Sequence, residues 1–338
     1  MRALIVHRIG AGCSVQDRGR TGWLAQGLSR GGAADRLALA EGAALLGQPP
    51  DLAALELTGA GGTFEATEPM RVALTGARAV LRLGDKDLPP DAVHRVEPGA
   101  RFSVGAARGG VFAYLNVGGG IDVPPVMGSR AAHLALALGP TLQDGTRLPV
   151  GADPGQAVNR GLDPEARLGG GDLRMLPSAH TALFAQDDLA RFAATPFVRD
   201  PRGNRQGVRL EHDGAPFATQ GQLTLLSEVI VPGDVQMTGD GTPYILGPEA
   251  QTIGGYPRIG CILPADLPRA MQAAPGDVLR FRFVTPDEAL ATWRDDDALM
   301  AALRARVRPI TRDPRDMPDL LSYQLIGGVT SGTPEEEQ

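Results

Sequence analysis

The chain has 338 residues, enough for two domains or one large β domain, and its 43% hydrophobic share can fill a packed core. With 45 Gly and 28 Pro against 4% aromatics it describes a turn-rich β protein rather than a helical one. A balance of 39 acidic against 33 basic side chains, a net −6 with no run of Lys or Arg, argues against nucleic acid or an anionic membrane as partner.

Residues 2–9 read as a strand, and the glycines of 10–31 break every periodicity, so that stretch reads as loop. Residues 33–46 (AADRLALAEGAALL) read as a helix stopped by Gly47 and Pro49. Short strands follow at 54–57, 63–66, 71–74, 80–83, 92–96, 101–104 and 111–117, with one at 147–150 to finish the unit. Residues 151–170 are rich in Gly, Pro and Asp and read as a linker. A second series is expected at 172–176, 197–199, 207–211, 222–226, 235–238, 243–246, 259–263 and 278–284, with short helices at 180–194 and 265–273. At 285–305 Thr285, Pro286 and Glu288 form a capping box and predict one helix, before a frayed acidic tail ending SGTPEEEQ.

Several chemistries are absent from the string. No G-x-x-x-x-G-K-[ST] or G-x-S-x-G occurs, so neither a P-loop nor a nucleophile elbow is expected. Cys13 and Cys261 are too few for a disulfide framework or a thiolate metal site. The histidines, His7, His94, His133, His180 and His212, show no metal-ligand spacing, and no metal site is predicted. The N-terminus lacks the long apolar core of a secretory signal. The longest uncharged runs, 109–121 and 131–143, fall short of the ~20 apolar residues that span a bilayer. A soluble, cytoplasmic protein is the expectation.

Three stretches carry concentrated polar chemistry. SVQDRGRTGW (14–23) places Gln16, Asp17, Arg18 and Arg20 among glycines, and reads either as a site rim or as a charged surface turn. NVGGGIDVPPVMGSRAA (116–132) ends a strand in three glycines, which allow a close approach of backbone to a ligand or simply a strand crossover. EAQTIGGYPRIG (249–260), preceded by Glu228 and Gln236 and by the turn GNRQGVRL (203–210), gathers an amide, a phenol, a carboxylate and guanidinium groups. That set suits a small polar ligand with a carbonyl and a carboxylate; an interface between subunits would use the same groups.

Taken in order, SVQDRGRTGW, GLSRGGAADRLAL, GGGIDVPPVMGSR, PGDVQMTGDGTPYILGPEAQTIGGYPRIG and LLSYQLIGG resemble the biotin-dependent carboxyltransferase, or allophanate hydrolase subunit 2, family over roughly residues 1–328. The chain departs from the family's usual pattern at Gln206, where a Met is common, and at Gly31 and Ala34, where SGAMD is common.

The resemblance implies a mainly β fold of two cyclophilin-like β-barrel domains with a few short helices. Their bounds would be 1–150 and 171–285, joined by the 151–170 linker and followed by a helix and tail over 286–338. It implies the C-type component of an ATP-dependent 5-oxoprolinase, working with B-type (subunit 1, KipI-like) and A-type partners to open the lactam of 5-oxoproline to L-glutamate. ATP would be a co-substrate of the complex, bound by a partner or at an interface site that sequence motifs do not reveal. Two other roles belong to the family. One is subunit 2 of a urea carboxylase-like system, with biotin carried by another domain or protein. The other is a non-catalytic antagonist, of the KipA type, of a kinase-inhibitory partner.

On this reading Glu228, Gln251 and Tyr256 are catalytic, with Glu228 the proton acceptor. Arg205, Gln236, Thr252, Gly254, Gly255 and Arg258 bind an amide or lactam substrate. Gln16, Asp17, Arg20, Asp35, Ser129 and Arg130 form the interface with a partner or the rim of the site.

Overall fold

The computed structural model describes residues 2–219 and 225–310. Part of the strand expected at 222–226, the LLSYQLIGG motif and the acidic tail lie outside the described residues.

The first strand series forms two sheets around one core. A six-stranded sheet runs in the order Arg147–Pro149, Ala3–Ile9, Gly62–Ala66, Arg101–Val104, Leu81–Leu83, Lys86–Leu88. A five-stranded sheet runs Ser14–Gln16, Ala54–Leu57, Arg108–Val117, Met70–Arg78, Val93–Val96. Strand Gly62–Ala66 alternates between buried and half-buried residues, as a strand covered on one face should. Ala54–Leu57 is buried at every position because the five-stranded sheet is covered on both faces. Leu55 and Leu57 face the six-stranded sheet and pack with Leu4, Phe64 and Phe102. Ala54 joins a different cluster on the opposite face.

Helix Arg36–Leu46 lies on that opposite face and packs most of its length against Met70–Arg78 and Arg108–Val117. It approaches closely at Gly42, where a Cβ would fall 2.1 Å from the side chain of Asn116. The helix starts three residues later than the sequence pattern suggests. Asp35 takes the N-cap and accepts from the Ala38 N–H at 2.9 Å, while Ala33 and Ala34 stay in the loop. Gly47, at φ 65°, closes it in a left-handed cap.

The second series closes into a barrel of the strands Gly171–Leu176, Arg258–Ile262, Asp234–Met237, Pro243–Leu246, Gly207–Glu211, Phe197–Gly203 and Val278–Phe283. Its interior is filled by Phe192, Phe197, Phe217 and Phe281, with ring centroids 4.8 Å apart for both Phe192–Phe197 and Phe192–Phe281. The same cluster takes in Ala38, Leu39, Phe112 and Tyr114 from the first unit, so one apolar core runs through both.

Residues 151–170 are mostly irregular. Arg160–Gly161 pairs antiparallel with Arg308–Pro309, and Asp153 binds Arg71 at 2.6 Å. The helix expected over 180–194 is a 3-10 turn at Thr181–Leu183 followed by Gln186–Ala194. The helix at 285–305 divides into Pro286–Ala291 and Asp296–Arg306. The capping box at Thr285 and Glu288 forms as expected. Asp295 then acts as a second N-cap, accepting from Ala298 N–H at 2.7 Å, and the acidic run DDD suits the start of a helix better than its middle. No helix among the described residues is long and apolar enough to cross a membrane.

Candidate functional site

The double-glycine loop folds back as a small flap. Ile253–Gly254 pairs antiparallel with Glu228–Val229, outside the barrel ladder. Arg258, on a barrel strand beneath, ties the flap down. Its Nη2 donates to Glu228 Oε2 at 2.6 Å and its Nη1 to the Val229 carbonyl at 3.0 Å, with Asp234 Oδ2 at 3.5 Å. His180 adds a second contact to the same carboxylate, Nε2 to Oε2 at 3.3 Å. The Arg258 backbone N–H donates to His180 Nδ1 at 3.4 Å, so Nε2 carries the proton and donates to Glu228. Two donors therefore fix the Glu228 carboxylate, although its side chain is 48% exposed.

Gln236 lies under the flap, buried, and its Nε2 has no partner among the described residues. A Cβ at Gly254 would fall 2.8 Å from that nitrogen, so a larger residue there would displace the amide. Thr252 is buried, with its carbonyl accepting from Ile230 N–H, while Gln251 and Tyr256 are exposed. Gly255 faces the hydroxyl of Ser227, 3.4 Å from where its Cβ would be. Glu228, Gln236, Gly254 and Arg258 thus come together.

Arg205 goes elsewhere. It sits in the joint between the two units, 5% exposed. Its Nε donates to Glu249 Oε1 at 2.6 Å, its Nη1 to Glu56 Oε1 and its Nη2 to the Gly32 carbonyl. Glu56 Oε2 accepts from the Tyr114 hydroxyl at 2.6 Å and from Ala34 N–H at 2.9 Å. The Tyr114 oxygen accepts in turn from Asp35 N–H at 2.7 Å. Asp35 binds Arg167 at 2.6 Å and Gln272 at 2.8 Å, and Arg167 also holds Glu41. Burial pushes Glu249 up, but Arg205 outweighs it and holds the carboxyl below the usual range. Burial drives Glu41 the other way, above its usual value, despite Arg167.

Apart from Asp35, the rim residues pair within the first unit. Asp17 accepts from the Ser129 hydroxyl and the Arg130 N–H, each at 2.6 Å. Gln16 donates to the Ala132 carbonyl at 3.0 Å, and buried Arg20 donates to the Ala131 and Val126 carbonyls. The Arg130 side chain turns outward to Asp122 at 2.6 Å. The loop 14–23 and the segment after the triple glycine therefore clasp each other. Together they meet the barrel, through Gly31 N–H to the Pro248 carbonyl and Ala135 N–H to Glu249 Oε2. Gly203–Arg205 and Val111–Phe112 line a cavity of about 460 Å³ at this joint.

Sequence reasoning missed Glu56, Tyr114, Arg167 and Glu249 at the joint, and His180 and Asp234 at the flap. Glu56 left one signal, an acid inside the apolar strand ALEL. Among the described residues no group of three or more His, Cys, Asp and Glu is arranged to hold a metal ion.

Comparison with known proteins follows the same lines. The family model for the carboxyltransferase domain, subdomain A and B, matches residues 26–283. The C subunit of the 5-oxoprolinase of Escherichia coli strain K12 is 34% identical over 309 residues, 90% of this chain and 98% of that protein. The solved structure of TTHA0988 superposes with a TM-score of 0.76 at 28% identity, covering 83% of this chain and 55% of that one, so the chain spans just over half of it. The Kluyveromyces lactis urea carboxylase gives a TM-score of 0.76 at 23% identity, covering 92% of this chain and 31% of that one, a likeness of fold.

Proposed function

The chain belongs to the carboxyltransferase domain, subdomain A and B, family, and from that membership we propose that it is the C-type component of an ATP-dependent 5-oxoprolinase that opens 5-oxoproline to L-glutamate. The observation that carries this reading is the match to a 5-oxoprolinase C subunit along 98% of that protein's length. The flap supplies groups suited to such a reaction. A lactam carbonyl is a poor electrophile, so catalysis needs donors aimed at its oxygen and an acceptor for a proton. The Gln236 amide, whose Nε2 has no partner among the described residues, is the candidate donor, with the Gly254–Gly255 backbone beside it, and one such donor commonly contributes about 3 kcal/mol. Glu228, fixed by Arg258 and His180, is the acceptor. Gln251 and Tyr256, exposed at the rim, contact substrate or the partner protein there. ATP is a co-substrate that the A-type or B-type partner would bring, because no P-loop sequence occurs in this chain. The complex works in the cytoplasm.

The test is ATP-dependent glutamate release from 5-oxoproline by the chain co-purified with its A-type and B-type partners, beside a Gln251→Ala version. Turnover that is lost in the variant while the complex stays assembled supports the reading. An assembled wild-type complex with no turnover sinks it. Weight then moves to a second reading, carboxyl transfer to urea or a similar amide, which the family's carboxyltransferase description favours.

A further inference from the structure

The cavity of about 460 Å³ at the joint falls within the size range of small-molecule sites. One wall is apolar, made by Phe112 of the first unit and by Val208 and Met271 of the barrel unit. The polar residues on the other side are unequal. Each nitrogen of Arg205 already donates, to Glu249, Glu56 or the Gly32 carbonyl, and the second Glu249 oxygen takes Ala135 N–H. Arg199 is different. It is 5% exposed, and among the described residues its Nη1 donates only to the neighbouring Asp200 carbonyl at 2.9 Å and its buried Nε has no partner. The nearest acid in sequence, Asp200, has its carboxylate engaged by Arg202 and Arg209. Among the described residues no carboxylate stands at ion-pair distance from Arg199. Burial lowers its guanidinium below the ordinary value, and Asp200 and Asp277 offset that only in part.

Local backbone aims the group. The pairing of Phe197–Gly203 with Gly207–Glu211 shifts register between Arg199 and Gly203, a bulge of the kind that redirects side chains. A Cβ at Gly203 would fall 2.6 Å from Arg199 Nη2, and both residues line the cavity. The guanidinium end therefore lies against the cavity wall at a glycine.

We infer that this cavity is a binding site for a small organic carboxylate with an apolar body. The carboxylate pairs with Arg199 and the hydrocarbon lies on Phe112, Val208 and Met271. A buried cation without a counter-ion is costly, and the planar guanidinium fork pairs bidentately with a carboxylate or a phosphate. The apolar wall gives inorganic phosphate or sulfate nothing to hold. The inference does not depend on the reaction proposed above.

The test uses the full chain and two probes of one shape, 4-methylpentanoate and its neutral amide, titrated by calorimetry. The acid is expected to bind about tenfold tighter than the amide, as loss of one hydrogen bond to a charged group implies. Arg199→Met should abolish that preference and leave the melting temperature unchanged or raised, because it removes an unpaired buried charge. Gly203→Ala, which the backbone tolerates, should displace Nη2 and weaken the acid by about tenfold. Equal binding of acid and amide, or no binding of either at millimolar concentration, overturns the inference. So does loss of acid binding in Arg258→Gln with retention in Arg199→Met, which would move the site to the flap.

Discussion

Arg205 and Arg258 are both arginines between two acids, and the two surroundings do opposite things. Arg205 is shut in with Glu56 and Glu249, whose side chains are 0% and 1% exposed. Arg258 holds Glu228, which is 48% exposed, and stands 3.5 Å from Asp234. The first arrangement leaves no nitrogen free and cements two units. The second leaves a carboxylate held in place yet open to solvent on one side, which is what a reacting group needs. Burial of the partners, rather than the identity of the residues, separates a strut from a candidate site.

The comparison can be broken by experiment. Arg205→Ala should cost the most, about 3–5 kcal/mol in urea denaturation, because it strands two buried carboxylates. A loss below about 1 kcal/mol would mean the joint is not held by its charges. Glu228→Gln should change stability by less than about 1 kcal/mol, its pair being half exposed. The same change should lower glutamate release by the assembled complex about 100-fold, and full activity would remove Glu228 from the chemistry.

Asp91 tests the charge surplus next to the joint. Its carboxyl is pushed up to about 7, first by burial and then by Glu41. The folded state thus keeps a proton that the unfolded chain releases near pH 4, and this contribution falls as pH rises from about 4 to about 7. Asp91→Asn should flatten that slope, matching wild type at pH 4 and exceeding it at pH 8 by on the order of 1–3 kcal/mol. Asn suits the positive φ of 52° at this position. A variant no more stable at pH 8 would refute the account. Tyr256→Ala, on the exposed flap, should move the melting curve least, by under about 0.5 kcal/mol, and a larger drop would show the flap to be part of the folding core.

Much of the architecture was legible. The strand series, the Gly47 stop and the capping box at Thr285 rest on local chemistry, and local chemistry is visible in a string. The flap was half legible, since Glu228 and Arg258, with Gln236 between them, lie within 30 residues of one another. The joint was not. Arg205 meets Glu56 across 149 residues and Gln272 meets Asp35 across 237. Nothing in GNRQG distinguishes an arginine that will be buried from one that will hold substrate. The break of the last helix was missed for a smaller reason: a capping aspartate inside DDD looks the same as two more helix-surface acids.

One segment serves both surroundings. Glu249 is locked into the joint, and Ile253–Gly254 is the outer strand of the flap. Ile253 lies four positions after Glu249, a reach of at most about 14 Å. A molecule that shifted Glu249 from the cleft side would pull on the backbone that covers Gln236. Linkage makes such a pull symmetrical: whatever factor an occupant of the cleft applies to affinity at the flap, an occupant of the flap returns to the cleft.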